Sequence, residues 1–281
     1  MADAGTHDHT FELADGRTLA YLDLGDPDGR LVVSNHGGLS SRLDVLPADD
    51  AARAAGIRLV GPDRPGIGRS TRHPDRRLLD WPGDVAQLVD HLGADRFSTM
   101  GWSVGALYAA ACAHVLSDRV TGLALIASPI PCTWDDEGDH LNRMDRRFLE
   151  LSGHAAVADR AVFALMRAEA HRAPKAFAKQ SGVDGDLAAS LPAAVAEGLV
   201  DTAGVVDDYR VFGAPWGFEP GDLAVPTHLW QGDADELVPP SWAGRLADAI
   251  PGAELTVVGG ANHFLWYDHW AAIFDALVLP D

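Results

Sequence analysis

The chain has 281 residues, 47% of them hydrophobic, which is enough to bury a large core in one α/β domain or two ordinary domains. Its formal net charge of −19 argues against nucleic-acid binding and against docking on an anionic membrane, because both surfaces are negatively charged. We therefore expect a folded protein whose partner is a small-molecule substrate, and composition leaves the oligomeric state open.

The two cysteines, Cys112 and Cys132, are too few for a disulfide framework, so a reducing compartment is expected. Neither cysteine lies at metal-ligand spacing, and we expect no metal and no cofactor. Residues 1–7 lack the basic start and apolar run of a secretion signal, and no window reaches the roughly 18 apolar residues that span a bilayer. These features favour a cytoplasmic protein.

The N-terminal part of the chain alternates predicted strands and helices. Residues 9–13 and 17–24 flank an Ala-Asp-Gly turn and predict an antiparallel hairpin. Residues 31–35 and 57–60 have the apolar character of buried strands, and an amphipathic helix is expected between them at 47–55.

The loop at 63–70, Asp-Arg-Pro-Gly-Ile-Gly-Arg-Ser, is rich in glycine and invites comparison with a phosphate cradle. It lacks the Lys-Ser/Thr ending of a P-loop, and no third glycine follows at the interval of a dinucleotide fingerprint. The loop therefore does not predict a nucleotide site.

The next elements continue the alternation, with a helix at 81–92, a strand at 96–100, a helix at 106–113 and a strand at 120–127. Such β-α-β repetition predicts an α/β fold, a doubly wound and mostly parallel sheet with helices on both faces.

The alternation stops between residues 131 and 220, where no strand pattern occurs. Helical patterns at 141–149, 161–170 and 191–200 predict an inserted helical cap, or lid, over a core domain made of residues 1–130 and 221–281. The alternation resumes with a strand at 227–230, a helix at 241–250, a strand at 254–258 and a last helix after Tyr267.

Ser103 lies where the predicted strand at 96–100 turns into the helix at 106–113. A sharp strand-to-helix turn strains its central residue and requires small residues two positions before and after it, as Gly101 and Gly105 provide. The hydroxyl then lies at a helix N-terminus, which stabilises negative charge. The Gly-x-Ser-x-Gly pattern therefore predicts a nucleophile elbow at Ser103.

A serine nucleophile needs a base and an acid that orients the base. His263 follows the predicted strand 254–258 through a short loop, at the edge of the sheet where the elbow also lies; His269, in the presumed last helix, is its nearest competitor. Asp235 is the predicted acid, because it follows the preceding strand by a few residues, whereas Asp233 and Glu236 have the character of solvated loop charges.

An oxyanion hole requires two N–H groups aimed at the developing charge. We expect one from Val104, directly after the nucleophile, and one from Gly38, whose missing side chain lets the backbone approach a ligand. His36 is interpreted as a buried histidine that braces this loop, in preference to a proton-transfer role.

These motifs together resemble the α/β-hydrolase fold family over nearly the whole chain. His36-Gly37-Gly38 resembles the His-Gly-x oxyanion loop of the family. The segment 63–70 resembles its Asp-x-x-Gly-x-Gly-x-Ser loop. Gly232-x-x-Asp235 and His263 resemble its acid and base segments. Two departures are Leu39 in place of a proline and Asn262 in place of a glycine. By resemblance, the segment 131–220 is a cap over the site, and the order Ser, Asp, His is that of this elbow.

The residues and the resemblance together predict a serine hydrolase that cleaves a carboxylic ester through an acyl-enzyme. A serine at position 103 excludes the aspartate-based dehalogenases and epoxide hydrolases of the family. Carbon–carbon bond hydrolase, thioesterase, amidase and cofactor-free peroxidase activities stay open, as does a binding protein with little turnover. Several apolar cap residues favour an apolar substrate or form the core of the cap: Phe148, Phe163, Met166, Phe177, Trp216 and Phe218.

Overall fold

A computed structural model describes residues 7–134, 156–181, 183 and 185–277, with the backbone alone for 156–159 and 186. The strands of these ranges are β1 Asp8–Glu12, β2 Thr18–Gly25, β3 Arg30–Asn35, β4 Ile57–Pro62, β5 Phe97–Trp102, β6 Val120–Ile126, β7 Thr227–Gly232 and β8 Glu254–Val258. The α-helices are α1 Asp49–Ala54, α2 Trp81–His91, α3 Gly105–Val115, α4 Ala156–Arg172, α5 Pro174–Gln180, α6 Gly185–Gly198, α7 Thr202–Phe212, α8 Pro240–Ala249 and α9 Trp270–Leu277.

The eight strands form one sheet in the order β1-β2-β4-β3-β5-β6-β7-β8. β2 pairs antiparallel with β1 and with β4, and all other neighbouring strands are parallel. The turn between β1 and β2 is closed by a 2.8 Å hydrogen bond from Leu13 N–H to the Arg17 carbonyl, with Gly16 at a φ of +84°. The predicted α/β class and its mostly parallel sheet are confirmed.

Alternate residues of the central strands point to opposite faces of the sheet, and both faces are covered. Val32 packs in an apolar cluster with α1 and α9, whereas Val33 packs with α2, α3 and α8. This two-sided burial explains why the central strands read as continuous apolar runs in the sequence.

Helix α3 is apolar on every side, and its residues from Gly105 to Ala113 are buried. Its alanines and Gly105 leave little bulk between the helix and the sheet, so the helix packs close against β5 and β6. This close packing fixes the N-terminus of α3 directly above the end of β5.

Two predicted helices begin at other residues than expected. The predicted helix at 47–55 is a 3₁₀ helix, Arg42–Ala48, followed by α1, because the Ser41 hydroxyl caps Leu43 N–H and starts the helical turn earlier. At the other end of the chain, a 3₁₀ helix, Leu265–Asp268, precedes α9, and His269 lies between the two.

Helices α4 to α7 lie between β6 and β7, and the described part of residues 131–220 contains no strand. α4 includes the predicted helix at 161–170. The predicted start of the helix at 191–200 is wrong, because α6 begins at Gly185 and contains Pro192 in its interior. α5 and α7 were not predicted. The predicted helix at 141–149 lies outside the described residues, and the cap boundaries stay predictions.

At two glycines, the backbone of this helical segment lies directly against the backbone of core loops. A Cβ on Gly198 would overlap the Ser40 carbonyl, and a Cβ on Gly204 would overlap the Gly66 carbonyl. Both contacts join the α6–α7 region to loops that follow strands of the sheet, so this region packs tightly on the core.

Among the described helices, none can cross a membrane alone by length and apolarity. Of these described helices, only α6 from Leu187 and α7, taken together, are long and apolar enough, and a bend of 97° separates these two helices.

Candidate active site

Ser103 is the corner residue between β5 and α3. Its φ is +55°, a left-handed conformation that non-glycine residues rarely adopt. Ser103 N–H donates to the Ile126 carbonyl at 2.8 Å, and the Ser103 carbonyl accepts from Ala106 N–H at 2.9 Å. Hydrogen bonds from the sheet and from the helix therefore hold the strained corner in place.

Gly101 and Gly105 have no room for a side chain. A Cβ on Gly101 would overlap the Gly105 carbonyl oxygen, and a Cβ on Gly105 would overlap the carbonyl oxygen of Asn35. The first contact sets how closely the helix follows the strand, and the second brings the helix start against the end of β3. The small-residue requirement inferred from the sequence has this steric cause.

Asp235 and His263 form a buried pair at the ends of β7 and β8. The Asp235 Oδ2 atom accepts from His263 Nδ1 at 2.9 Å and from Gln231 Nε2 at 3.1 Å. Its Oδ1 atom accepts the backbone N–H groups of Leu237 and Val238 at 2.8 and 2.9 Å. All these donors hold the carboxylate in one orientation toward the imidazole.

Burial alone would raise the pKa of Asp235. The hydrogen bond and charge of His263, with the N–H groups of Val238 and Leu237, outweigh burial and lower the pKa below its usual range. The carboxylate is therefore ionised and accepts the Nδ1 proton, which leaves His263 Nε2 as the atom that can take a proton.

Trp102 connects the His263 loop to the elbow. Its indole Nε1 donates to the His263 carbonyl at 2.9 Å, and its ring centroid lies 5.3 Å from that of the imidazole. Because Trp102 directly precedes Ser103, this contact brings the histidine loop to the serine corner. Within the described ranges, no hydrogen bond joins Ser103 Oγ to His263, a bond that often tightens only when substrate binds.

Gly38 and Val104 lie side by side next to Ser103. A Cβ on Gly38 would come within 3.1 Å of the Val104 Cγ2 atom, so only glycine allows this approach without displacement of Val104. In the described part of the chain, neither backbone N–H donates to a protein acceptor. Two such N–H groups can stabilise an oxyanion formed at Ser103.

His36 is buried and neutral. Burial, and next the charge of Arg64, depress its pKa well below the usual value. Its Nδ1 donates to the Gly37 carbonyl at 2.9 Å, and its Nε2 accepts the Arg64 N–H at 3.2 Å. Both ring nitrogens are thus occupied by backbone, which is the geometry of a brace and leaves no nitrogen for proton transfer.

The glycine-rich loop after β4 surrounds a carboxylate of its own. Asp63 Oδ1 accepts Arg42 N–H at 2.7 Å and Asp63 Oδ2 accepts Arg69 N–H at 3.0 Å. A Cβ on Gly68 would overlap the same carboxylate. The space that a phosphate would need is filled by Asp63, which explains the glycines without a nucleotide.

The three other candidates, His269, Asp233 and Glu236, have other partners or are exposed. His269 Nδ1 donates to the Leu265 carbonyl at 2.7 Å. Asp233 is exposed and accepts Gly260 N–H at 2.6 Å, and Glu236 is exposed. None of the three contacts His263 through a hydrogen bond or ion pair in the described structure.

Sequence reasoning missed three residues around the His-Gly-Gly loop. Arg64 donates to the carbonyls of His36 and Gly37, Asp208 of α7 pairs with Arg64, and Asp44 accepts Gly37 N–H at 3.3 Å. Asp44 lies before the predicted helix at 47–55, Arg64 lies in the glycine-rich loop at 63–70, and Asp208 lies in a helix that was not predicted. No local pattern marks them: Arg64 and Asp208 are partners across 144 residues, and Asp44 meets Gly37 only through the fold of the loop between them.

Comparison with known proteins supports a single family. The model of the alpha/beta hydrolase fold family matches residues 30–269. A proline iminopeptidase of Xanthomonas citri is 34% identical over 107 residues, which cover 36% of this chain and 33% of that protein. A 2-hydroxymuconate semialdehyde hydrolase of Pseudomonas putida is 26% identical over 221 residues, covering 75% of this chain and 72% of the relative.

Several curated relatives are matched over only about a third of their length. Among solved structures, an enol-lactonase from Burkholderia xenovorans LB400 superposes with a TM-score of 0.72 at 18% identity, covering 96% of this chain and 98% of that chain. At this identity the likeness concerns the fold. Together with the family match over most of the chain, it shows that the protein belongs to the alpha/beta hydrolase fold family of hydrolases.

Proposed function

We propose that the protein is a serine hydrolase that cleaves a carboxylic ester of a small, apolar substrate through an acyl-enzyme. The observation that carries the proposal is the buried Asp235–His263 hydrogen bond, 2.9 Å long, on a loop that Trp102 ties to the strained Ser103 corner. Acyl transfer requires a serine at such a corner and a base that an ionised acid orients toward it.

In the proposed mechanism, Ser103 Oγ attacks the ester carbonyl carbon while its proton passes to His263 Nε2. The N–H groups of Gly38 and Val104 stabilise the oxyanion of the tetrahedral intermediate. His263 then gives the proton to the departing alcohol, and the C–O bond breaks. His263 then takes a proton from a water molecule, whose oxygen attacks the acyl carbon. The bond from that carbon to Ser103 Oγ breaks, and His263 gives the proton to Oγ as the acid is released.

The proposal of an apolar substrate starts from the apolar side chains of the helical segment, although the described ones lie in or against the hydrophobic core. Phe163 is buried, and Met166 and Phe177 are partly buried. Trp216 and Phe218 are also buried, so these two and Phe163 pack in the core, and Phe148 lies outside the described residues. The relatives named above are a peptidase, a semialdehyde hydrolase and a lactonase, and of these only the lactonase name implies an ester bond.

Labelling by a fluorophosphonate tests the nucleophile. The wild type should label covalently, and the Ser103→Ala variant should not label. Equal labelling of both proteins would refute the proposal.

A substrate panel then tests the bond that is cleaved. Steady turnover of p-nitrophenyl esters, with a preference along an acyl chain-length series, is expected. Cleavage of a dienoic diketo acid without ester turnover would indicate a carbon–carbon bond hydrolase instead. A burst of one product per enzyme with no further turnover would indicate a binding protein.

A further inference from the structure

The peptide group between Gly37 and Gly38 is fixed by hydrogen bonds to its carbonyl oxygen. The Gly37 carbonyl oxygen accepts from His36 Nδ1 at 2.9 Å and from Arg64 Nη2 at 3.0 Å. Peptide bonds of the described chain are trans, so the C=O of Gly37 and the N–H of Gly38 point in opposite directions. Whatever fixes the carbonyl therefore also fixes the direction of the Gly38 N–H.

Arg64 is the charged group that fixes this carbonyl. Its side chain is 0% exposed, and Nη1 donates to the His36 carbonyl while Nη2 donates to that of Gly37. Its guanidinium also lies over the Tyr108 ring, 4.6 Å from the centroid. The planar fork of arginine can bind two successive carbonyls at once, whereas the single ammonium group of lysine cannot reproduce this geometry.

The charge of Arg64 is balanced by the α7 helix. Asp208 Oδ2 accepts from Arg64 Nε and Nη2 at 2.9 and 2.7 Å, and Asp208 Oδ1 accepts from Tyr108 Oη at 2.9 Å and Arg76 Nη2 at 2.5 Å. Burial alone would raise the pKa of Asp208, but the charges of Arg64 and Arg76 lower it instead. A buried guanidinium needs such a counter-charge, since an unpaired one is strongly destabilising.

We propose that Arg64 is a positioning residue of the oxyanion hole and that Asp208, from the helical segment, holds Arg64 in place for this task. The inference rests on the proposed function, in which Gly38 N–H binds the oxyanion. Arg64 aims the Gly38 N–H through the shared peptide plane. Its positive charge also polarises the Gly37 carbonyl, which makes the N–H on the same peptide a stronger donor.

If Arg64 has this role, its replacement should change kcat and not KM. An oxyanion forms in the transition state and is absent from the bound ester, so a misaimed N–H lowers kcat and leaves KM unchanged. Loss of a whole oxyanion donor costs about 10²–10³-fold in kcat, and a misdirected donor should cost about 10- to 100-fold.

The test compares Arg64→Lys and Asp208→Asn with a matched control, Arg72→Gln. Arg72 also pairs with α7, through Asp207 at 2.5 Å, but in the described residues it forms no hydrogen bond or ion pair with the His-Gly-Gly loop. All variants are assayed for kcat and KM on a p-nitrophenyl ester, for the rate of fluorophosphonate labelling, and for affinity toward an aryl trifluoromethyl ketone. The serine hydroxyl adds to the carbonyl carbon of that ketone and forms a hemiketal oxyanion, so the affinity for the ketone measures how well the oxyanion hole binds negative charge.

Arg64→Lys and Asp208→Asn should lower kcat, labelling rate and ketone affinity by the same factor, about 10- to 100-fold, with KM within about twofold. Arg72→Gln should match the wild type in all of these. If both test variants match Arg72→Gln in kcat and ketone affinity, or if KM rises while kcat stays constant, the inference is overturned.

Near-UV circular dichroism of each variant confirms that folded protein is assayed, and if Arg64→Lys fails to fold, Asp208→Asn, which keeps side-chain volume, decides alone. Failure of the proposed function shows separately, as equal labelling of wild type and Ser103→Ala. Failure of this inference leaves that labelling difference intact.

Discussion

Asp235 and His263 lie 28 residues apart in the chain, yet Asp235 Oδ2 accepts a hydrogen bond from His263 Nδ1 at 2.9 Å. Asp235→Asn keeps the shape of the side chain and removes the charge that stabilises the imidazolium. We expect kcat for ester hydrolysis to fall about 10⁴-fold, with KM little changed. Asp233→Asn, at an exposed aspartate of the same loop, should stay within about twofold of the wild type; equal losses in both variants would contradict the role of Asp235.

Gly105 has no space for a methyl group, because a Cβ would overlap the carbonyl oxygens of both Asn35 and His36. Gly105→Ala should therefore push α3 away from the end of β3, lower the unfolding free energy by more than about 3 kcal/mol and abolish labelling of Ser103.

The matched control is Gly83→Ala in α2, where a Cβ would meet nothing within 4 Å. This change should stabilise the protein by about 0.5–1 kcal/mol, since alanine favours helix over glycine. Chemical denaturation measures both variants. A Gly105→Ala protein as stable as the wild type would show that the close contact is not required.

Asp44 should make the protein less stable as the pH rises. Burial raises the pKa of Asp44 to about 7 from a reference of 3.8, despite the hydrogen bonds from Gly37 N–H and the Ser40 hydroxyl. Between these two pH values the folded protein keeps a proton that the unfolded chain has released, so the contribution of Asp44 to stability falls as the pH rises through this window. Above pH 7 that loss is complete.

Asp44→Asn cannot ionise and should escape this loss. The Tm of the variant minus that of the wild type should grow from pH 4 to pH 8, as measured by thermal denaturation. Asp28→Asn, at an exposed position, should show a constant difference. A constant difference for Asp44→Asn as well would mean that Asp44 does not titrate in this range.

The contribution of Asp208 to stability should fall as the pH is lowered, the opposite of Asp44, because the pKa of Asp208 is lowered in the folded protein. Its stabilising effect is complete above the unfolded pKa near 4 and is lost as the pH falls through the lower folded value. Asp208→Asn should therefore be most destabilising at neutral pH and approach the wild type in acid. A difference in Tm that widens toward low pH would contradict the assigned sign.

Gly204 sets the contact between α7 and the loop after β4, because a Cβ there would overlap the Gly66 carbonyl. Gly204→Ala should separate α7 from the core and speed limited proteolysis within residues 156–212. Gly244→Ala, in α8 with nothing within 4 Å of its Cβ, is the control and should be cleaved at the wild-type rate. Equal cleavage of both variants would argue against a tight anchor at Gly204.

The sequence by itself determined those features that depend on neighbours in the chain. The order of strands and helices follows from hydrophobic periodicity, and the corner at Ser103 follows from the glycines two residues to each side. The helix at α7 escaped this reasoning, because its buried face includes Asp207 and Asp208 and so breaks the apolar pattern.

Only the tertiary structure decided the contacts between residues far apart in the chain. Gln231 and two backbone N–H groups orient the Asp235 carboxylate, and Arg64 meets Asp208 across 144 residues. Local propensity carries no information about such partners, because a buried charge is stable only where the folded chain brings its counter-charge to it. The elbow could thus be predicted from a few adjacent residues, whereas the charges around its oxyanion loop became visible only in the folded chain.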